Sequence, residues 1–344
     1  MDKTVTFAVA GSGKTRSIVE QIDPSRRSLV ITYTTNTEDD LRRRIANRLD
    51  GRDASVTVDT YFSFLNRFCY KPLLQQDMQS RGISFSAPSQ TSSRMPLSSR
   101  LRYMHGDRVY HCRMAKLLAV KGCLGDVRER LDRYYDDVYV DEVQDFGGHD
   151  FNFLLEIAQA RARFRLVGDF YQHTFATSHD GNVNKSLHDN YDDYRARFAK
   201  AGFKVDTTTL GASHRCGPAV CDYITKTLGI QIAAASVSAA RVEVVESQGD
   251  VDRLHSDQKT VKLFLERHWL YGCHSNNWGA SKGLDHYQDV CVALNPTSWA
   301  LFLRGELALA KPIIRNKLYV AFSRARGNLF LAPESLFKKH RSGT

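Results

Sequence analysis

The sequence predicts an α/β fold with parallel sheets, in two domains of ordinary size. Three observations point there. An apolar run, Val5 to Val9, leads into a glycine-rich turn and then a helical pattern carrying Ile18, Val19 and Ile22. A second apolar run, Asp137 to Val140, ends in two carboxylates, Asp141 and Glu142. Further apolar runs alternate with helical patterns along the 344 residues, as in a parallel sheet with right-handed crossovers.

The turn reads Ala8-Val9-Ala10-Gly11-Ser12-Gly13-Lys14-Thr15. Strand, glycine-rich turn and helix form the context of a phosphate-binding loop. Backbone N–H groups of Ala10, Gly11, Ser12 and Gly13 would converge on phosphate oxygens at the positive end of the helix. Lys14 would reach the β- and γ-phosphates, and the Thr15 hydroxyl would hold Mg²⁺. Ala8 stands where such loops usually begin with glycine. The competing explanation is a turn that only caps a helix.

The acid pair adds chemistry to binding. Ligand sites of parallel sheets lie at the carboxyl ends of strands. Asp141 there can hold Mg²⁺ through water, and Glu142 can orient or deprotonate an attacking water. An isolated Asp-Glu is usually a solvated turn. After an apolar strand, in a chain with a phosphate loop, it reads as hydrolysis.

Val140-Asp141-Glu142-Val143-Gln144-Asp145 resembles the DE-x-QD box of the UvrD/Rep-like branch of superfamily 1 helicases. Other boxes of that family follow in order: Val30 to Asn36 with Leu41 to Ile45 resembles motif Ia, Asp59 to Phe64 motif Ib, and Leu166 to Gln172 motif III. Ser213-His214-Arg215 resembles motif IV, Ser281 to Asp285 motif V, and Leu318 to Ala325 motif VI. The resemblance spans residues 5–331 and implies two RecA-like P-loop NTPase domains, with a small insert in the first. It implies ATP and Mg²⁺ as ligands.

The resemblance also assigns roles. The amide of Gln172, after a Gly-Asp turn, can sense a γ-phosphate. Arg215 and Arg324 are candidate arginine fingers, since a planar guanidinium can neutralise charge on a transferring phosphoryl group. Arg16 and His214 match positions on the two faces of the adenine, and Gly283 and Asp285 match motif V positions near the nucleotide. The segment that precedes the phosphate loop in the family, with its adenine-reading glutamine, has no counterpart, which leaves the choice among nucleoside triphosphates open.

A single strand is held by positive charge and by aromatic rings that stack on bases. Tyr33, Tyr61 and Phe62 lie in boxes that contact the strand in the family, and Phe175 matches an aromatic position after motif III. Thr34 and Thr60 hydroxyls could meet phosphate oxygens. Aromatic residues after strands also serve as ordinary core. Thr177 and Gly279 replace a Trp and a His of the family pattern, removing groups used to grip nucleic acid.

Net charge is +10 with a pI near 9.2, a bias that suits a polyanionic partner. Arg94, Arg100, Arg102, Arg108, Arg113, Lys116 and Lys121 crowd one region. We place the first domain at 1–205, with an insert near 70–130 expected to be helical, the second at 206–337, and a basic, disordered tail at 338–344. Strands are expected near 205–210, 241–246, 288–294 and 328–331 of the second domain. Residues 84–99, rich in Ser and Pro, read as a loop. Seven scattered cysteines, without a C-x-x-C pair, suit reduced thiols inside a cell; zinc at Cys112 with His105 and His111 is the less favoured alternative to surface histidines. No leader and no membrane span are expected, and the localisation expected is cytoplasmic.

The leading expectation is an ATP-dependent DNA helicase or translocase, moving 3′ to 5′ on single-stranded or tailed duplex DNA. The alternative is an ATP-gated regulatory or loading module for a partner such as a nuclease. An RNA helicase and a small-molecule kinase are further readings; two arginine boxes in a second domain disfavour the kinase.

Overall fold

The computed structural model describes residues 2–51, 55–174, 181–235 and 237–341. The chain forms two compact units. The first comprises Met1–Thr6, Lys14–Gly168 and Ala176–Asp206; the second comprises Phe7–Gly13, Asp169–Phe175 and Thr207–Thr344. The loop segment 7–13 and the turn 169–175 therefore pack with the second unit.

The first unit carries strands β1 (Lys3–Phe7), β2 (Ser28–Thr32), β3 (Val56–Thr60), β4 (Gly82–Ser84), β5 (Met104–His105), β6 (Arg108–Tyr110), β7 (Asp137–Val140), β8 (Arg163–Gly168) and β9 (Lys204–Asp206). Six of them form one sheet in the order β3-β2-β7-β8-β1-β9. Pairings such as β2 with β7 and β7 with β8 are parallel. Their residues are covered on both faces: Leu29, Val30, Ile31, Val138, Val140, Phe164 and Leu166 are buried. That explains continuous apolar runs rather than alternation. Strand β8 separates the strand that leads into the glycine-rich loop from the strand of the acid pair. The buried Asp137 carboxylate binds Arg26 at 2.7 Å and Arg163 at 2.5 Å, tying the start of β7 to its neighbour.

The second unit carries β10 (Ala212–Ser213), β11 (Ala233–Ala234), β12 (Val242–Val244), β13 (Val261–Phe264), β14 (Ser275–Asn277), β15 (Val290–Leu294) and β16 (Leu329–Pro333). Its main sheet runs β12-β16-β15-β13-β14, all parallel. Val261, Leu263, Val290, Val292, Leu294 and Leu331 pack there against Ile224, Leu228, Leu318 and Phe322. The α/β class with two parallel sheets, as in RecA-like units, is thus what the chain adopts.

Several details differ from expectation. The strand expected near 205–210 in the second domain is β9, which pairs with β1 in the first sheet, Val5 opposite Val205. Strands β13 and β14 were not foreseen. The insert is not purely helical, since β4, β5 and β6 make a three-stranded sheet. Its Ser/Pro segment contains a helix, Gln90–Arg94, capped by Ser89. Part of the arginine cluster staples the insert: Arg100 donates to the Met78 carbonyl at 2.8 Å, Arg102 to that of Ser93 at 2.8 Å, and the buried Arg113 to Arg102 O and the Ser93 hydroxyl. Residues Glu334–His340 form a 3₁₀ helix anchored by buried Phe337. Lys339 and His340 both bind Asp252, so the basic tail is ordered through His340. No helix among the described residues is long and apolar enough to cross a membrane.

Candidate active site

The helix Lys14–Gln21 of the first unit follows Gly13, which takes φ +87°. The Thr15 hydroxyl donates to Asp141 Oδ2 at 2.9 Å. Asp141 is buried at the carboxyl end of β7, and its other oxygen accepts the Glu142 amide at 2.9 Å. Burial, with the Glu142 charge beside it, pushes the Asp141 carboxyl up to about 6, against the pull of Lys14 and Thr15. A buried carboxyl so placed suits a cation. Among the described residues no group of three His, Cys, Asp or Glu side chains could hold a metal alone. Mg²⁺ fits such a place, because it takes one or two protein ligands and completes its shell with water and substrate phosphates. The same absence leaves Cys112, His105 and His111 without a zinc-type cluster.

Glu142 sits at φ +54°, ψ +45°, a left-handed conformation that costs a non-glycine residue about 1–3 kcal/mol. Its carboxylate accepts the side-chain amide of Gln144, which is itself buried. Gly168, ending β8, explains the arrangement. A Cβ there would collide with Gln144 Oε1 and come within 2.7 Å of Val143 Cγ1. The glycine leaves room for the amide that holds the strained glutamate.

In the second unit, Gly11 adopts φ +73° and its carbonyl accepts the His214 amide at 2.9 Å. A Cβ on Gly11 would lie 2.7 Å from both Arg215 Cβ and Ser213 Oγ. The loop therefore needs glycine for conformation and for this close approach. The Tyr319 hydroxyl accepts the Ala10 amide at 2.8 Å and donates to Asp169 Oδ2 at 3.0 Å. Asp169 also accepts the Tyr171 amide at 3.1 Å, shaping the 3₁₀ turn Phe170–Gln172. Gln172 is buried. Two enclosed polar atoms, Ser12 Oγ and Arg215 Nε, find no hydrogen-bond partner among the described residues. Orphaned donors at a glycine-rich loop fit a phosphate ligand.

Asp285 gathers arginines. Its Oδ1 binds Arg215 Nη2 and, at 3.3 Å, Arg324 Nη1, while its carbonyl accepts Arg326 Nε at 2.6 Å. Arg324 is fully buried; burial and the like charge of Arg215 bring its guanidinium down to about 10, with Asp285 opposing. Arg215 also donates to the Ser323 carbonyl at 3.1 Å. Arg215, Arg324 and Arg326 thus meet at Asp285.

Other expected residues stand apart from these clusters. Arg16 is exposed and pairs with Glu20 at 2.7 Å. His214 and Gly283 are exposed, Gly283 at φ +82°. Thr34 and Thr60 hydroxyls cap helices, accepting from Thr37 N at 3.3 Å and Ser63 N at 3.1 Å. Tyr33 and Tyr61 stack with centroids 6.4 Å apart, and Phe146 meets both rings edge-on. Tyr61 donates to Asp150 at 2.9 Å. Phe62 is half-buried beside Phe85 and His111. Phe175 and Thr177 lie outside the described residues. Sequence reading quoted Gln144, Asp169, Ser213 and Tyr319 inside boxes but assigned them no task. Tyr319 bonds to Asp169 and Ala10, 150 and 309 positions away, and Gln144 and Ser213 pack close to Gly168 and Gly11, so no local signal marks them.

No family model and no curated protein matches the chain. Among solved structures it is similar to the PRRSV helicase, at 17% identity over 97% of this chain and 52% of that one, with a TM-score of 0.49. It is also similar to the Arterivirus nonstructural protein 10 helicase, at 16% identity, 99% and 62% coverage, and a TM-score of 0.46. That helicase in complex with DNA gives 15% identity, 98% and 63% coverage, and 0.46. The chain spans between 52% and 63% of the length of these proteins.

Proposed function

We propose that the protein is an ATP-dependent DNA helicase or translocase of the UvrD/Rep type, moving 3′ to 5′ on single-stranded DNA. The observation that carries this reading is the joint of Thr15 and Asp141, with Glu142 held in a strained conformation beside it. A binding loop needs no such glutamate; hydrolysis does.

The chain's own groups divide the work. Lys14 and the loop amides would bind and orient the triphosphate. Thr15 and Asp141 would hold Mg²⁺, which when bound neutralises charge on the β- and γ-oxygens. Glu142, aimed by Gln144, would orient the attacking water and accept its proton. Gln172 would hydrogen-bond near the γ-phosphate. Arg215 and Arg324 would offset charge on the transferring phosphoryl group. Asp285, paired with both guanidiniums, would position them as well as lie near the nucleotide. Tyr33, Thr34, Thr60, Phe62 and Phe175 remain the candidate contacts to the strand.

The test is ATP hydrolysis with and without single-stranded DNA, beside Lys14→Ala and Glu142→Gln, followed by displacement from 3′- and 5′-tailed duplexes. DNA-stimulated hydrolysis abolished by both variants, with displacement from the 3′ tail, supports the reading. Hydrolysis indifferent to nucleic acid sinks it.

Gly279 favours a second reading, an ATP-gated module that loads or regulates a partner such as a nuclease. The residue is buried against Thr174 and Lys317 and offers no side chain to a strand. ATP-dependent DNA affinity without strand displacement would select this reading over the motor.

A further inference from the structure

Phe85 is a large aromatic ring left 66% exposed, yet it is not loose. It follows β4 directly and lies 5.0 Å, centroid to centroid, from His111 at an interplanar angle of 32°. Phe62 stands 5.2 Å from the Phe85 ring. The His111 ring nitrogen Nδ1 meets the Ser84 carbonyl at 3.3 Å, which fixes the imidazole beside the strand that presents Phe85. Three rings from three separate elements therefore form one open aromatic patch on the first unit. Phe62 comes from the short helix after β3, Phe85 from the residue after β4 and His111 from the 3₁₀ turn after β6.

The surroundings select an occupant. Residues 78–121 hold eight Arg and Lys and one acid, Asp107, a net +7. Arg100 and Arg102 donate to neutral carbonyls, which holds the side chains without cancelling their charge. Aromatic rings on and beside an insert of net positive charge match a single-stranded nucleic acid, whose bases stack while its phosphates meet the charge.

We propose that Phe85, with His111 and Phe62, is a base-stacking platform that carries a single strand from the motif Ib turn onto the insert. The proposal rests on the nucleic-acid part of the functional reading and extends it to residues outside the helicase boxes. The platform reads no sequence, since every base offers a face to a ring.

The test uses the full chain and anisotropy of labelled dT20 and rU20 strands, with Phe85→Ala, Phe85→Leu and Phe85→Trp. Loss of one stacked base weakens binding on the order of tenfold. Phe85→Ala and Phe85→Leu should both show that loss, and Phe85→Trp should retain binding, with melting temperatures matching the parent because the side chain is exposed. Loss with both strands, or with one alone, supports the platform and states which strand it takes. Full binding by Phe85→Ala in a parent that binds overturns the platform and leaves the functional reading intact. Retention by Phe85→Leu also overturns it, because bulk rather than stacking would then be what the surface offers, as for a protein partner. A parent that binds neither strand overturns the platform together with the nucleic-acid reading.

Discussion

The hydroxyl of Tyr319 donates to Asp169 Oδ2 at 3.0 Å while accepting the amide of Ala10 at 2.8 Å. Tyr319 is fully buried and Asp169 nearly so. One phenol therefore satisfies both a phosphate-loop N–H and the carboxylate that shapes the Gln172 turn. Burial pushes this phenol well above its ordinary pKa, so it remains a proton donor.

Tyr319→Phe should leave both partners unsatisfied in the interior. We expect a loss of about 1–3 kcal/mol, read by urea denaturation, and weaker nucleotide binding. A variant as stable and as active as the parent would show that the relay is incidental.

Gly168→Ala should push the Gln144 amide off Glu142. Overpacking of this kind costs about 1–3 kcal/mol. We further expect kcat for ATP hydrolysis to fall while ATP binding stays near the parent value, because the role proposed for Glu142 is toward water rather than nucleotide. Single-turnover hydrolysis and equilibrium binding separate the two effects; an unchanged kcat contradicts the aiming role.

Asp285→Asn distinguishes two assignments of that acid. If Asp285 only holds Arg215 and Arg324 until phosphate arrives, removing its charge should tighten ATP binding. Calorimetric titration measures this, and weaker binding would return Asp285 to the nucleotide. Arg215→Lys should lower kcat by at least about 10²-fold, since an ammonium cannot reproduce the guanidinium fork.

Asp150 predicts a pH dependence. Burial pushes its carboxyl from 3.8 up to about 7, with the Tyr61 hydrogen bond opposing. Between those values the native chain binds the proton and the unfolded chain does not. Stability contributed here is therefore full below about pH 4 and is lost as pH rises through about 7. Asp150→Asn keeps an oxygen acceptor for Tyr61 and should flatten that stretch of the stability profile. Equal pH slopes in parent and variant over pH 4–7 would contradict it.

Much of the fold was legible because its signals are local. Apolar runs at β2, β7, β8 and β15 show buried parallel strands, and Gly11, Gly13, Lys14 and Thr15 form a contiguous turn. Strands β13 and β14 escaped notice because β13 is four residues long and contains a buried lysine, Lys262, while β14 is Ser-Asn-Asn. Lys262 interrupts the apolar residues of β13, and β14 has none. The placement of β9 was missed because three residues cannot tell which sheet will pair with them.

By itself, the sequence determined the α/β class, the glycine-rich turn, the acid pair and the positive bias, each of which is written in neighbouring residues or in composition. Tertiary structure alone decided that Tyr319 joins Ala10 to Asp169, that Gly168 makes room for Gln144, that Asp285 is shared by two arginines and that Phe85 stands beside His111. The physical reason is the range of the interaction. Backbone geometry and hydrophobic pattern act over a few residues, whereas a hydrogen bond or ring contact across tens to hundreds of positions exists only after the chain has packed.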